Sequence, residues 1–181
     1  MEPRFEPVDP ALIDSSPFRL IGDEWMLVSS AHGGKANMMT ASWGGLGVLW
    51  NKKAATCYVR PTRHTYGLIE DSGSFGLSFL GKGHRKALQY LGTASGRDVD
   101  KIAVSGLSPL GFEPGSLPSA WDGGAPYLGF REAELFMACK VIYAFDIDPA
   151  RFMAPGIEAF YPEKDYHRAY IGEIVGCWRR A

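Results

Sequence analysis

Between Leu135 and Ile147 the chain carries Leu135, Met137, Cys139, Val141, Tyr143, Phe145 and Ile147 at every second position. Successive side chains of a strand point to opposite faces, so this alternation predicts one long strand and excludes a helix. A shorter alternation follows the same rule from Ala55 to Arg60, with Ala55, Cys57 and Val59 on one face and Thr56, Tyr58 and Arg60 on the other, until Pro61 stops it. Further strands are expected at Glu24 to Ser30, Ser74 to Leu80 and about Ala169 to Trp178, with Gly172 and Gly176 marking bulges or bends in the last. Gly33-Gly34 reads as a turn. Asn37 to Trp50 is apolar but holds Gly44, Gly45 and Gly47. Three glycines so close would cost a helix about 2–3 kcal/mol, so the segment is read as two strands meeting at a bend.

Helices are short and few in this reading. Thr65 is placed to cap one that runs through Asp71, and Ala87, Leu88 and Leu91 give helical spacing to His84–Leu91. Ser95 and Asp98 stand three apart, as in a capping box, and would introduce a helix through Val99, Ile102 and Ala103. Gly106 to Gly124 holds three prolines and five glycines and is predicted to be a long loop. The proline-rich arm, residues 1–16, is expected to be irregular. Several strands with short helices between them, and no regular strand–helix repeat, predict a mostly β fold: an antiparallel barrel with appended helices. With no internal repeat and no linker, residues 1–181 are read as a single domain.

Composition narrows the function classes. No apolar run approaches the roughly 18 residues of a membrane span, and the acidic, proline-containing start does not resemble a signal peptide, so a soluble, cytoplasmic protein is expected. Cys57, Cys139 and Cys177 are odd in number and widely spaced, which fits buried filler in a reducing compartment better than a disulfide framework or zinc site. The net charge of −1 hides an uneven distribution. Residues 52–101 carry nine basic and four acidic side chains, while the segments on either side are acidic. A basic middle points to a localised anionic ligand rather than to nucleic acid; scattered solvated lysines would give the same count. Gly76 to Gly83 nearly spells a phosphate-binding loop, but Gly83 stands where Ser or Thr would hold magnesium. No GxGxxG follows a strand, and the four histidines lack metal-ligand spacing, so no metal is expected.

Three segments are polar where packing does not require it. In NMMTASWGG, Asn37, Thr40 and Ser42 interleave with Met39, Ala41 and Trp43, which suits a flat ring needing both apolar surface and hydrogen bonds. An ordinary strand with one polar face has the same pattern. In RPTRHTY, Arg60 and Arg63 precede a helix start at Thr65, a seat for a dianionic phosphate or a solvated basic turn. In SGRDVDK, Ser95 and Gly96 permit close backbone approach while Arg97 and Lys101 add cations; Asp98 and Asp100 could equally pair with them.

Taken in order, NMMTASWGGLGVLWNK, RPTRHTY, SGRDVDK and the closing HRAYIGEIVG resemble the flavoredoxin-like branch of the flavin reductase-like family, from about Pro17 to the C-terminus. The resemblance implies an FMN-binding split β-barrel of Greek-key antiparallel type, usually a homodimer with flavin near the subunit interface. It implies that Thr40, Ala41, Ser42 and Trp43 line the isoalloxazine ring and that Asn37 belongs to the cofactor-binding residues. Arg60, Arg63 and Thr65 would sit at the ribityl phosphate, and Ser95, Gly96, Arg97 and Lys101 would complete the cofactor site. His167 would face the flavin or the nicotinamide, and Ala169 stands where the family pattern suggests methionine. The implied activity is hydride transfer from NADH or NADPH to FMN, with electrons passed onward; the alternative is an electron carrier reduced by a redox protein partner.

Overall fold

The computed structural model describes residues 4–181. Its strands are β1 (Phe5–Pro7), β2 (Met26–His32), β3 (Lys35–Ala41), β4 (Gly44–Leu49), β5 (Lys52–Val59), β6 (Ser74–Phe79), β7 (Pro109–Phe112), β8 (Ser119–Ala120), β9 (Tyr127–Phe130), β10 (Leu135–Asp146) and β11 (Arg168–Arg180). Three α-helices join them: α1 (His64–Ser72), α2 (Arg85–Thr93) and α3 (Lys101–Ser105).

The main sheet runs β3-β2-β6-β10-β11-β5-β4, every pair antiparallel, with β1 added beside β11. Its two end strands, β3 and β4, are consecutive in the chain and separated only by Ser42 and Trp43. Two residues reach about 10 Å at most, so the sheet must curl until its ends nearly meet. At that seam a Cβ on Gly44 would lie 2.6 Å from the methyl of Met26 on β2 and 2.5 Å from the carbonyl oxygen of Thr56 on β5, which is why only glycine fits at the start of β4. The mostly β expectation therefore holds, as a barrel left split along the β3/β4 seam.

Alternation assigns the two cores. Val28, Ala55, Cys57, Val59, Phe75, Leu77, Met137 and Cys139 fill the barrel interior. On the outside of β2, β6 and the first half of β10, Leu27, Phe136 and Ala138 pack with Leu88, Phe112, Phe130 and Trp178 into a second core. Burial on both faces explains why early β10, Leu135 to Cys139, is a continuous apolar run.

Several expectations are corrected. The 106–124 segment is not a plain loop: β7 and β8 form a three-stranded sheet with β9, because Leu110 and Phe112 alternate into the second core. The arm is not wholly irregular either. Phe5 is buried edge-on against Phe112, 5.4 Å between ring centroids, and this anchors β1 against β11. Residues 1–3 of the arm lie outside the described residues. The single face expected for Leu135–Ile147 breaks at Ile142, which bulges out of register so that Tyr143 and Phe145 emerge to solvent. The irregularities expected near Gly172 and Gly176 are present: Gly172 faces Val141 at that bulge, and Val175 is looped out next to Gly176.

Candidate anion and ring site at the barrel seam

Five polar residues from distant parts of the chain meet around one cavity of about 370 Å³, and each arrives by a local rule. Asn37 points inward from β3 with Met39, on the face that also carries Ala41 into the core. Arg60 and Arg63 follow β5, where Pro61 ends the strand and turns the chain into α1. Thr65 is not the helix cap. It lies in the first turn of α1, fully buried, with its hydroxyl accepting from the Asn37 amide at 2.9 Å. The N-cap position is Arg63, whose side chain makes no capping bond, so the N-terminal N–H groups of α1 have no side-chain cap.

The SGRDVDK segment also folds differently from the expected capping box. Arg97 N–H donates to the Ser95 hydroxyl in a tight turn, and the helix starts later, with the Asp100 carboxylate accepting from Ile102 and Ala103 N–H. Aspartate one residue before the helix is the better cap because its oxygen reaches both orphan donors at once. The delay places Lys101 on the first helical residue, 2% exposed, and turns its amine into the cavity beside Arg63. Gly96 lies against Asn37: a Cβ there would meet the amide oxygen at 2.5 Å.

The charges are unevenly compensated. Arg60 pairs with Asp165 at 2.5 Å and donates to the Phe160 carbonyl at 2.8 Å. Among the described residues Arg63 and Lys101 have no carboxylate partner; they donate to the carbonyls of Gly92 (2.6 Å) and Leu91 (2.8 Å). Burial first, and then the neighbouring Arg63, pushes the Lys101 amine down to about 8. Burial and Arg60 lower Arg63 in the same direction. Arg97 is set apart: it lines an adjoining cavity of about 490 Å³ and donates to the Thr62 carbonyl. The two cavities share Asn37, His64, Gly96 and Lys101.

The ring-lining group is less unified. Thr40 points to the outer side of β3, where its hydroxyl donates to the Leu88 carbonyl at 2.5 Å. Ala41 packs into the barrel core. Ser42 and Trp43 cross the seam and line a different cavity of about 620 Å³. His167, 8% exposed, packs against Trp43 with ring centroids 5.1 Å apart and shares a 3.0 Å hydrogen bond between Nδ1 and the Tyr161 hydroxyl. Burial, reinforced by Arg60, pushes His167 down to about 4, so its ring is neutral at pH 7.

Sequence reasoning missed Asp165, Tyr161 and Thr62. Asp165 neutralises Arg60, Thr62 Oγ1 lies 3.4 Å from that carboxylate, and Tyr161 lies under the Arg60 guanidinium at 5.2 Å. All three sit in loops without periodicity, so only the fold brings them to the site. Among the described residues no group of His, Cys, Asp and Glu could hold a metal, and no helix is long and apolar enough to cross a membrane.

Comparison with known proteins gives a consistent result. The model of the flavin reductase like domain matches residues 18–181. No functionally curated protein matches. Among solved structures, a flavoredoxin from Methanosarcina acetivorans superposes with TM-score 0.64 at 23% identity, covering 87% of this chain and 68% of that one. An FMN-binding domain of a flavin reductases-like enzyme from Shewanella baltica OS155 gives 0.65 at 20% identity, over 99% and 79%. A protein with a split barrel domain from Shewanella frigidimarina NCIMB 400 gives 0.61 at 16%, over 85% and 65%. At these identities the likeness shows the fold.

Proposed function

The chain belongs to the flavin reductase-like family, and from that premise we propose that it binds FMN and reduces it with NADH or NADPH. Lys101 carries the reading. A lysine amine buried with only a carbonyl partner is an expensive arrangement, costing several kcal/mol unless a counter-charge arrives. A dianionic ribityl phosphate supplies that charge, and three further features suit it: Arg63, the uncapped start of α1, and the close approach allowed by Gly96. The residues present thus fit the phosphate end of FMN.

When bound, FMN supplies two-electron chemistry at N5; the chain binds, orients and shields it. Lys101 and Arg63 hold the phosphate. Arg60, fixed by Asp165, contributes positive potential and orientation more than an open binding charge. Thr40 to Trp43 border the ring by family correspondence. With Thr40 already bonded to Leu88, the β3 backbone and Ser42 supply the hydrogen bonds there. His167, neutral, offers a hydrogen bond and a flat surface rather than a charge.

Titrating the protein with FMN, followed by flavin fluorescence, tests the site. Lys101→Met should weaken binding about 100-fold, in the range for loss of a buried charge partner. It should also raise the melting temperature of the FMN-free protein, because the uncompensated cation is gone. Unchanged FMN affinity would overturn the phosphate assignment. An anaerobic visible spectrum then separates the two electron sources: bleaching by NADH or NADPH supports the reductase, and a bound flavin that stays yellow supports a carrier fed by a redox protein.

The proposal extends to a homodimer in a reducing, cytoplasmic setting, where three buried free cysteines are at home. Val48, Trp50, Tyr143 and Phe145 form an exposed apolar patch, with Trp50 edge-on to Tyr143 at 6.0 Å, and this is the proposed subunit contact.

A further inference from the structure

The cavity of about 620 Å³ on the far side of the seam is built from different material than the anion site. Its walls come from the strand ends at the split (Trp43 and Leu46), from Tyr58 on β5, and from Phe18, Ile21 and Ile147. Among the described residues no charged side chain lines it. Its only hydroxyls belong to Ser42 and Tyr58, and neither has a hydrogen-bond partner among the described residues. The volume suits a small organic molecule, and an apolar wall with a few hydroxyl donors selects a flat, neutral compound with carbonyl oxygens. The absence of cations argues against a dinucleotide, whose phosphates would be unpaired there. The position argues for redox use: Ser42 and Trp43 belong both to this wall and to the segment assigned to the flavin ring, and Trp43 packs against His167 with its ring tilted.

We propose that this cavity binds a neutral quinone as the two-electron acceptor of the bound flavin, a role that rests on the flavin reading above. The quinone gains two electrons and one proton as hydride from the reduced flavin, which returns to its oxidised form. A second proton from solvent, relayed by the Tyr58 hydroxyl, completes the hydroquinone. The nicotinamide restores the reduced flavin and leaves oxidised. Ser42 and Tyr58 orient the carbonyl oxygens, and Trp43 and Leu46 hold the ring.

Isothermal titration of the protein with menadione, with and without FMN, tests this. Micromolar binding is expected in both states. Gly45→Leu fills the cavity, since a Cβ at Gly45 meets no atom within 4 Å, and should weaken menadione at least about tenfold through lost space. Tyr58→Phe should weaken it about fivefold to tenfold through one lost hydrogen bond. Both variants should keep wild-type FMN affinity, and NADH oxidation with menadione as acceptor should fall in proportion. Menadione that binds no tighter than millimolar, or equally to wild type and Gly45→Leu, overturns the cavity assignment. So does a change of oligomeric state in Gly45→Leu without menadione binding in wild type, since a second copy then covers this surface. Menadione binding in the cavity with no FMN binding would retain the pocket but overturn the acceptor role together with the flavin reading.

Discussion

The two cavities flanking the β3/β4 seam are close in sequence origin and opposite in construction. The anion site gathers Arg60, Arg63 and Lys101 against a single carboxylate, Asp165, and satisfies the remaining cations with backbone carbonyls. Among the described residues the other cavity is lined by two side-chain hydroxyls and no charged group. In the first, the fold concentrates charge that it cannot neutralise internally. In the second, it removes charge and leaves apolar surface with a few donors. One strand-to-strand connection, Ser42–Trp43, belongs to the second cavity while the strand before it borders the first.

Substitutions confined to one cavity should therefore leave the other intact, and this separation can be broken experimentally. After Lys101→Met, the largest such effect is expected for Gly96→Ala. The new methyl would lie 2.5–2.7 Å from the Asn37 amide and must displace its bond to Thr65. FMN affinity should fall about 30-fold from a lost buried hydrogen bond and a shifted wall, with menadione binding unchanged. Parallel titrations of the two ligands check it, and equal losses for both would show that the cavities are one coupled site.

A smaller effect is expected from pH alone. Lys101 has a depressed folded value of about 8, so its cation is present below that pH and is lost as pH rises through it. The phosphate stays dianionic above about pH 6. FMN affinity should hold steady up to pH 8 and then decline by up to about tenfold per pH unit. Menadione affinity should stay flat. In the FMN-free protein the sign is opposite. The unfolded chain binds more protons between pH 8 and 10.5, so stability should rise across that window.

The sequence carried the barrel because Leu135–Ile147 and Ala55–Arg60 alternate, and alternation is a local signal that the fold preserved as β10 and β5. It carried Arg60, Arg63, Gly96 and Lys101 to one end of the molecule because they flank chain reversals marked by proline, glycine and aspartate. It misplaced the caps, reading Thr65 and Ser95 where Arg63 and Asp100 stand, since several polar residues in a row compete for one N-cap and only backbone geometry chooses. It hid β7 and β8, where glycine and proline masked a short alternation that packs on a neighbour remote in sequence. Asp165 and the 620 Å³ cavity were invisible for a different reason: both are made by the approach of segments roughly a hundred residues apart.

His167 offers the finest test of where the two regions meet. Its ring touches Trp43, which lines the neutral cavity, while Arg60 of the anion site adds to its depressed titration. The folded value of about 4 lies below the ordinary 6.5, so between these pH values the unfolded chain takes up a proton that the folded chain refuses. Stability should therefore be full above pH 6.5 and decline as pH falls toward 4, by on the order of 2–3 kcal/mol from this group. Thermal melts of the wild type and of His167→Gln across pH 4–7 measure it. Glutamine retains a donor for Tyr161 but cannot titrate, so the variant should lose a small amount of stability at pH 7 and show a flatter acid limb. Binding of phosphate-bearing FMN screens Arg60, so the wild-type limb should move slightly toward lower stability loss when FMN is present. An identical acid limb in both proteins would mean that His167 titrates normally, and that the charged cavity does not reach across the seam.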